Sequence, residues 1–320
     1  MTSEPLEPAR APEPGEWVTA IAPAKINPYL EILGKREDGF HELVTCMVCL
    51  TLSDRVRVRV TDHAGRIDLN VHGPEASADI PRDERNLVVR IARDVLTQAR
   101  MDCGVEIDLE KNVPSQSGMG GASADAAACL VALSCALRLP TSRRQSELLL
   151  AQLGSDCVFF ASAATTGFGV CEGRGEKVTP YPALDPEWHV ALVVPEVRCP
   201  TADVYHALGF PLSARPSRHS FDASLLRNSA VAARPWLKND LEHPALRCFS
   251  ELAAWRDRLD ECGSSHFRLT GSGATFFGLF DDADAARTSL RTIEDATRAV
   301  GLGTRASFVV RTAGHGVRLV

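Results

Sequence analysis

The sequence lacks any apolar run near the roughly 18 residues that a membrane-spanning helix requires. It also lacks a surplus of basic residues: 35 Lys and Arg against 41 Asp and Glu leave a formal net charge of −6. A nucleic-acid partner calls for a basic face, so the balance argues against one. The opening stretch MTSEPLEPARAPEPGE has neither a basic region nor an apolar core. It is expected to be a disordered tail over residues 1–16 and not a secretory signal. There is no internal repeat. The 10 cysteines are scattered, and only Cys46 and Cys49 form a CxxC, with no second such pair to complete a metal site. On a strand, a spacing of three puts these thiols on opposite faces, where they cannot share an ion. Buried, reduced thiols in a cytoplasmic protein are expected.

What remains is an ordinary globular composition, 45% hydrophobic and 24% charged over 320 residues. That length supports two domains or one large one. The stretch WVTAIAPAKINPYLEILG reads as strand, turn, strand. Strict alternation makes Arg55 to Val60 a half-buried strand, and Val105 to Glu110 repeats the pattern. Asn86 is placed to cap a helix whose Leu87, Ile91 and Val95 share a face. An alanine-rich helix follows residue 121, then a helix ending at Gly154, a hairpin over 165–182 and a buried strand from Val190 to Pro195. Beyond it come a helix near Asp203, a loop from Phe210 to Ser220, and helices through Leu259. The strand ATFFGLF, another helix and the strand RASFVVR close the chain. His63 and His72 read as solvated loop residues. Interleaved helices and strands with hairpins define an α+β class. A boundary near Tyr181 separates domains over 17–180 and 181–320.

The segment Ser117-Gly118-Met119-Gly120-Gly121, ahead of the alanine-rich helix, has the chemistry of a phosphate cradle. A helix N-terminus offers unpaired N–H groups and partial positive charge, and glycines let an anion approach the backbone. Ser123 could bind a phosphate oxygen or Mg²⁺. Two familiar phosphate loops do not match. The turn has no lysine where the P-loop needs one, and Ser123 stands where the dinucleotide fingerprint needs Gly or Ala. Taken alone, the turn could also be one that caps a structural helix.

Four segments in order carry a resemblance: Pro23 to Leu43 (PAKINPYLEILGKREDGFHEL), Pro114 to Ala127, LGSDCVFF with CEGRGE between Leu153 and Glu176, and Leu269 to Gly278 (LTGSGATFFG). In these the sequence resembles the GHMP kinases. It is most similar to the branch that uses ATP to phosphorylate a cytidine-diphosphate-linked methylerythritol in the non-mevalonate route to isoprenoids. The resemblance implies two domains, the first like domain 2 of ribosomal protein S5 and the second ferredoxin-like, with ATP and substrate meeting between them. It implies Asp156 as catalytic base and Lys25 as its steering cation. Asn86, Lys111, Pro114, Ser117, Gly118, Met119, Gly120, Gly121, Ala122 and Ser123 are expected at the nucleotide. Asn27, Thr201 and the turn with Gly271, Ser272 and Gly273 are expected at the substrate. His41 is expected on the cytosine edge, with Phe40 and Tyr205 about its ring. ATP and Mg²⁺ are the expected cofactors, and a monomer or weak homodimer the expected state. Gln116, Ser117, Ala122, Ala124 and Val158 depart from the family pattern, leaving open a kinase for another alcohol or a non-catalytic nucleotide sensor.

Overall fold

The computed structural model describes residue 13 and residues 15–140, 142–208 and 222–320. The expected tail lies almost wholly outside these residues, and the loop from Phe210 to Ser220 lies wholly outside them.

Two long antiparallel strands, β1 (Val18–Lys35, 18 residues) and β2 (His41–Thr61, 21 residues), form the backbone of the fold. The strand–turn–strand expectation for residues 17–34 is therefore corrected to one strand. The misleading residues are Pro23 and Pro28, which lack an N–H for the ladder. The chain passes them by shifting register between Pro23 and Lys25 and between Ile26 and Tyr29. Such irregularities re-aim side chains, and Lys25 and Asn27 lie within this stretch.

The strand β3 (Ile67–His72) runs parallel to β4 (Gly104–Glu110), which pairs antiparallel with β2. His72 thus belongs to a strand and not to a loop, with its ring 3.2 Å from the Asp108 carboxylate. A hairpin of β5 (Phe168–Gly173) and β6 (Lys177–Pro180) joins β2 on its other stretch. Helices α1 (Leu87–Ala99), α2 (Gly121–Ala136), α3 (Arg143–Leu153) and α4 (Ser155–Ser162) cover this sheet. Ala124, Ala126, Ala127, Ala128 and Ala132 of α2 are fully buried, so their small side chains set a close approach to β1 and β2.

The second half of the chain contributes β7 (His189–Pro195), α5 (Thr201–His206), α6 (Ala230–Ala233), β8 (Lys238–Asn239), α7 (Glu242–Cys248) and α8 (Ser250–Glu261). After these come β9 (Arg268–Leu269), β10 (Phe276–Phe280), α9 (Ala283–Arg298), β11 (Thr304–Arg311) and β12 (Arg318–Leu319). An antiparallel sheet has the order β11-β7-β10-β9, while β8 and β12 cross over to pair with β1. Cys46 and Cys49 face different core clusters, as their spacing requires, and burial pushes both thiols upward in pKa. Among the described residues no helix is long and apolar enough to cross a membrane.

Candidate active site

The irregular stretch of β1 sinks Lys25 to 3% exposure. Its ammonium has three protons to donate. Two go to Asn27 Oδ1 at 2.6 Å and the Gly118 carbonyl at 2.7 Å, and Asp156 Oδ2 lies 3.6 Å away. Asn27 is itself fixed from three directions. Its Nδ2 donates to Thr45 Oγ1 (2.9 Å), its backbone N–H donates to Thr270 Oγ1 (3.0 Å), and the Thr270 hydroxyl donates to its Oδ1 (3.2 Å). A buried cation is tolerable only with such a set of acceptors. Thr45, outside the expected site residues, and Thr270, at the head of the expected turn, hold Asn27 in place as one of those acceptors.

Asp156 reaches the same point from the helix layer. Gly154, in extended conformation, lies between α3 and α4 and caps both, and Asp156 falls in the first turn of α4. That position faces unpaired N–H groups and favours a carboxylate. Its side chain keeps 35% exposure, so it is open to a ligand while paired with Lys25.

The glycine-rich turn closes over this pair. Gly120, at φ +73°, is the N-cap of α2, and a Cβ there would sit 3.1 Å from two carbons of the Lys25 side chain. Gly118, at φ +78°, would place a Cβ 2.5 Å from the Thr270 carbonyl. The two loops are also bonded directly, Thr275 N–H donating to the Ser117 carbonyl at 3.3 Å. Asn239, another residue missed in the sequence, holds the second loop by donating to the Leu269 and Gly271 carbonyls at 2.7 and 2.8 Å. Gly118→Ala is accordingly expected to cost about 1–3 kcal/mol, the scale of backbone strain at such sites, and to weaken ATP binding. Gly34, with ordinary φ and open space around it, is the control: Gly34→Ala stays within about 0.5 kcal/mol. Urea unfolding and ATP titration of both variants provide the check.

Lys25, Asn27, Thr45, Gly118, Gly120, Asp156, Arg174, Thr201, Tyr205, Gly271 and Ser272 line one cavity of about 230 Å³. Thr201 and Ser272 hydroxyls are 2.9 Å apart on its wall. The Tyr205 ring lies 5.1 Å from the His41 ring, and burial with the nearby Lys35 lowers the His41 pKa, keeping the imidazole neutral near pH 7. Phe40 is 52% exposed, and its ring carries the Arg174 guanidinium at 4.9 Å. Gly273, at φ +96°, leaves no room for a side chain: a Cβ there would lie 3.1 Å from the Leu269 side chain.

Several residues expected at the nucleotide have buried side chains. The Lys111 side chain is 4% exposed and its ammonium is bound to the Asp54 and Asp125 carboxylates, the latter at 2.7 Å. Lys111, expected near the nucleotide, thus sits in a buried ionic triad beneath the turn. Asp54 Oδ1 also accepts from the Asn112 and Val113 N–H groups at 2.6 and 2.8 Å, tying the entry of the turn to β2. Asn86 caps α1, accepting from Val88 N–H at 3.0 Å. Met119 is fully buried, and Ser117 donates to the Pro114 carbonyl at 2.6 Å, so these three shape the turn from inside. Gly121, Ala122 and Ser123 form the accessible start of α2. Among the described residues no group of three or more His, Cys, Asp or Glu could hold a metal ion.

Comparison with known proteins gives the same picture. Residues 86–164 match the family model described as GHMP kinases N terminal domain, and residues 222–295 match GHMP kinases C terminal. The 4-diphosphocytidyl-2-C-methyl-D-erythritol kinase of Rhodopirellula baltica is 33% identical over 87% of this chain and 91% of its own. That of Pelotomaculum thermopropionicum is 37% identical over 84% and 91%. A crystal structure of 4-(cytidine 5'-diphospho)-2C-methyl-D-erythritol kinase superposes with a TM-score of 0.68 at 31% identity, covering 92% of this chain and 100% of the other. The homoserine kinase of Cytophaga hutchinsonii shares the fold, with a TM-score of 0.69 at 18% identity, covering 95% and 97%.

Proposed function

The chain belongs to the GHMP kinases, two-domain ATP-dependent kinases of small molecules, and we propose that it phosphorylates the 2-hydroxyl of 4-diphosphocytidyl-2-C-methyl-D-erythritol in isoprenoid biosynthesis. The observation that carries this is the convergence of Lys25, Asp156 and the Gly118 loop on one cavity whose wall also holds Tyr205 against His41. The division into domains over 17–180 and 181–320, and a cytoplasmic setting, are part of the same proposal.

In this reaction the substrate O–H gives its proton to an Asp156 carboxylate oxygen. The hydroxyl oxygen bonds to the γ-phosphorus as the bond from that phosphorus to the β-bridging oxygen breaks, releasing ADP. Phosphoryl transfer asks the protein mainly for alignment and charge stabilisation. Lys25 meets both demands: it sits 3.6 Å from the Asp156 carboxylate and is pinned by Asn27 and Gly118. The exposed N–H groups at the start of α2 receive phosphate oxygens. Mg²⁺ supplies charge neutralisation on the β- and γ-phosphates when bound. Among the described residues no group of three or more His, Cys, Asp or Glu could hold the ion, so the nucleotide phosphates would carry it, and the Ser123 hydroxyl at the helix start would be the protein oxygen.

The neutral His41 ring and Tyr205 form the subsite for the cytosine. Adding the cytidine substrate, homoserine or mevalonate to protein with ATP and Mg²⁺ tests the assignment through ADP release. Turnover with the cytidine substrate alone is expected. Preference for either of the others would overturn it. His41→Ala is expected to raise KM for the cytidine substrate at least tenfold, about the effect of leaving a buried polar recognition group unmatched, with KM for ATP unchanged.

A further inference from the structure

The segment CEGRGE gives the sequence one of its four family motifs, yet none of its side chains has a place in the chemistry above. In the structure it forms the turn between β5 and β6. Gly173 and Gly175 take φ values of +76° and +106°, and the Glu176 carboxylate accepts from the Arg174 N–H at 2.7 Å. The turn is seated on the catalytic helix: a Cβ on Gly175 would lie 3.2 Å from the Ser155 Cβ, one residue before Asp156. All of this local order presents a single side chain, Arg174, to the cavity.

The guanidinium of Arg174 is positioned but not neutralised. Its Nη2 donates to the Ala151 carbonyl at 3.3 Å, and it stacks over Phe40 at 4.9 Å. Asp38 feels it at longer range, but among the described residues no carboxylate forms an ion pair with it. Lys25, the other cation on the cavity wall, is already committed to Asn27, Gly118 and Asp156. Arg174 therefore holds the uncommitted positive charge of the cavity, in a side chain whose fork of donors suits phosphate oxygens.

We propose that Arg174 binds the diphosphate of the substrate, the segment that joins its cytidine to its reacting alcohol. This assignment rests on the function proposed above. It makes Arg174 a residue that selects a diphosphate-linked substrate over an uncharged alcohol, and makes Phe40 the platform that holds the guanidinium in place.

The test compares wild type, R174K and R174Q for KM of the cytidine substrate, KM of ATP, and competitive inhibition by CDP and by cytidine. For R174Q, KM for the cytidine substrate and the inhibition constant of CDP are expected to rise about tenfold or more, the scale of a lost charge-assisted hydrogen bond. Inhibition by cytidine and KM of ATP should change less than about twofold, and R174K should fall between wild type and R174Q. Equal weakening of CDP and cytidine, or an unchanged CDP constant, would overturn the role of Arg174 while leaving the proposed reaction standing. Failure of the wild type to turn over the cytidine substrate would remove both.

Discussion

Replacing Asp156 by Asn is expected to lower turnover by at least about a hundredfold, the usual scale for a positioned general base, while ATP binding stays within about twofold of wild type. The amide keeps the size of the carboxylate and cannot accept the proton of the substrate hydroxyl. It also removes the negative charge 3.6 Å from the Lys25 ammonium, whose other partners, Asn27 Oδ1 and the Gly118 carbonyl, are neutral. The ammonium therefore stays anchored, and the glycine loop should keep its shape. Single-turnover kinetics with ATP in excess measures the chemical step, and a nucleotide titration measures binding. Near-normal turnover would remove Asp156 from the mechanism. A parallel loss of ATP affinity would mean that it holds the loop and not the proton.

The second large effect concerns stability. Lys111→Ala should destabilise the fold by about 3–5 kcal/mol, the cost of removing one partner from a buried ionic group. Two carboxylates would remain side by side, Asp54 and Asp125, both at most 2% exposed. Burial already pushes the Asp125 pKa well above the ordinary carboxylate range, against the pull of Lys111 and with the push of Asp54. Without the lysine, Asp125 favours the protonated form in the folded state still more strongly. Its folded pKa lies above the unfolded one, so the deficit shrinks as pH falls and grows as pH rises. Replacing Lys111, Asp54 and Asp125 together by Met, Asn and Leu should restore more than about half of the loss, since neutral residues often substitute for buried ionic groups at little cost and the Asn oxygen can still accept from the Asn112 and Val113 N–H groups. Urea unfolding at pH 5 and pH 8 reads both effects. Unchanged stability with a raised KM for ATP would instead make Lys111 a nucleotide contact.

Lys111 also marks the limit of what the sequence discloses. A lysine just ahead of a glycine-rich turn looks like a phosphate or base contact, and its neighbours in sequence do not argue otherwise. Its partner Asp54 is 57 positions away, so only the folded sheet reveals that the charge is spent. Asn239 was hidden for the same reason. It acts through carbonyls of residues 269 and 271, more than 29 positions on.

Other features were local and could be seen directly. The alternation of Val105, Ile107 and Leu109 and the capping of α1 by Asn86 depend on near neighbours alone. So did the glycines of the loop, because positive φ is a property of each residue by itself. Ile67, Leu69 and Val71 alternate just as clearly and form a strand, although the turn residues around them obscure the pattern. In β1 the prolines argued for a turn, and long pairing with β2 outweighed them.

The glycine turn, the lysine on β1 and the aspartate on α4 come from three distant segments, and their meeting in one cavity is the center of the account. The most direct test is phosphorus NMR of the product formed by purified wild-type protein from ATP, Mg²⁺ and 4-diphosphocytidyl-2-C-methyl-D-erythritol. The predicted result is one new phosphate monoester on the 2-hydroxyl, formed mole for mole with ADP and absent with Asp156→Asn. Binding of ATP without that product, or a phosphate on any other hydroxyl, would contradict it.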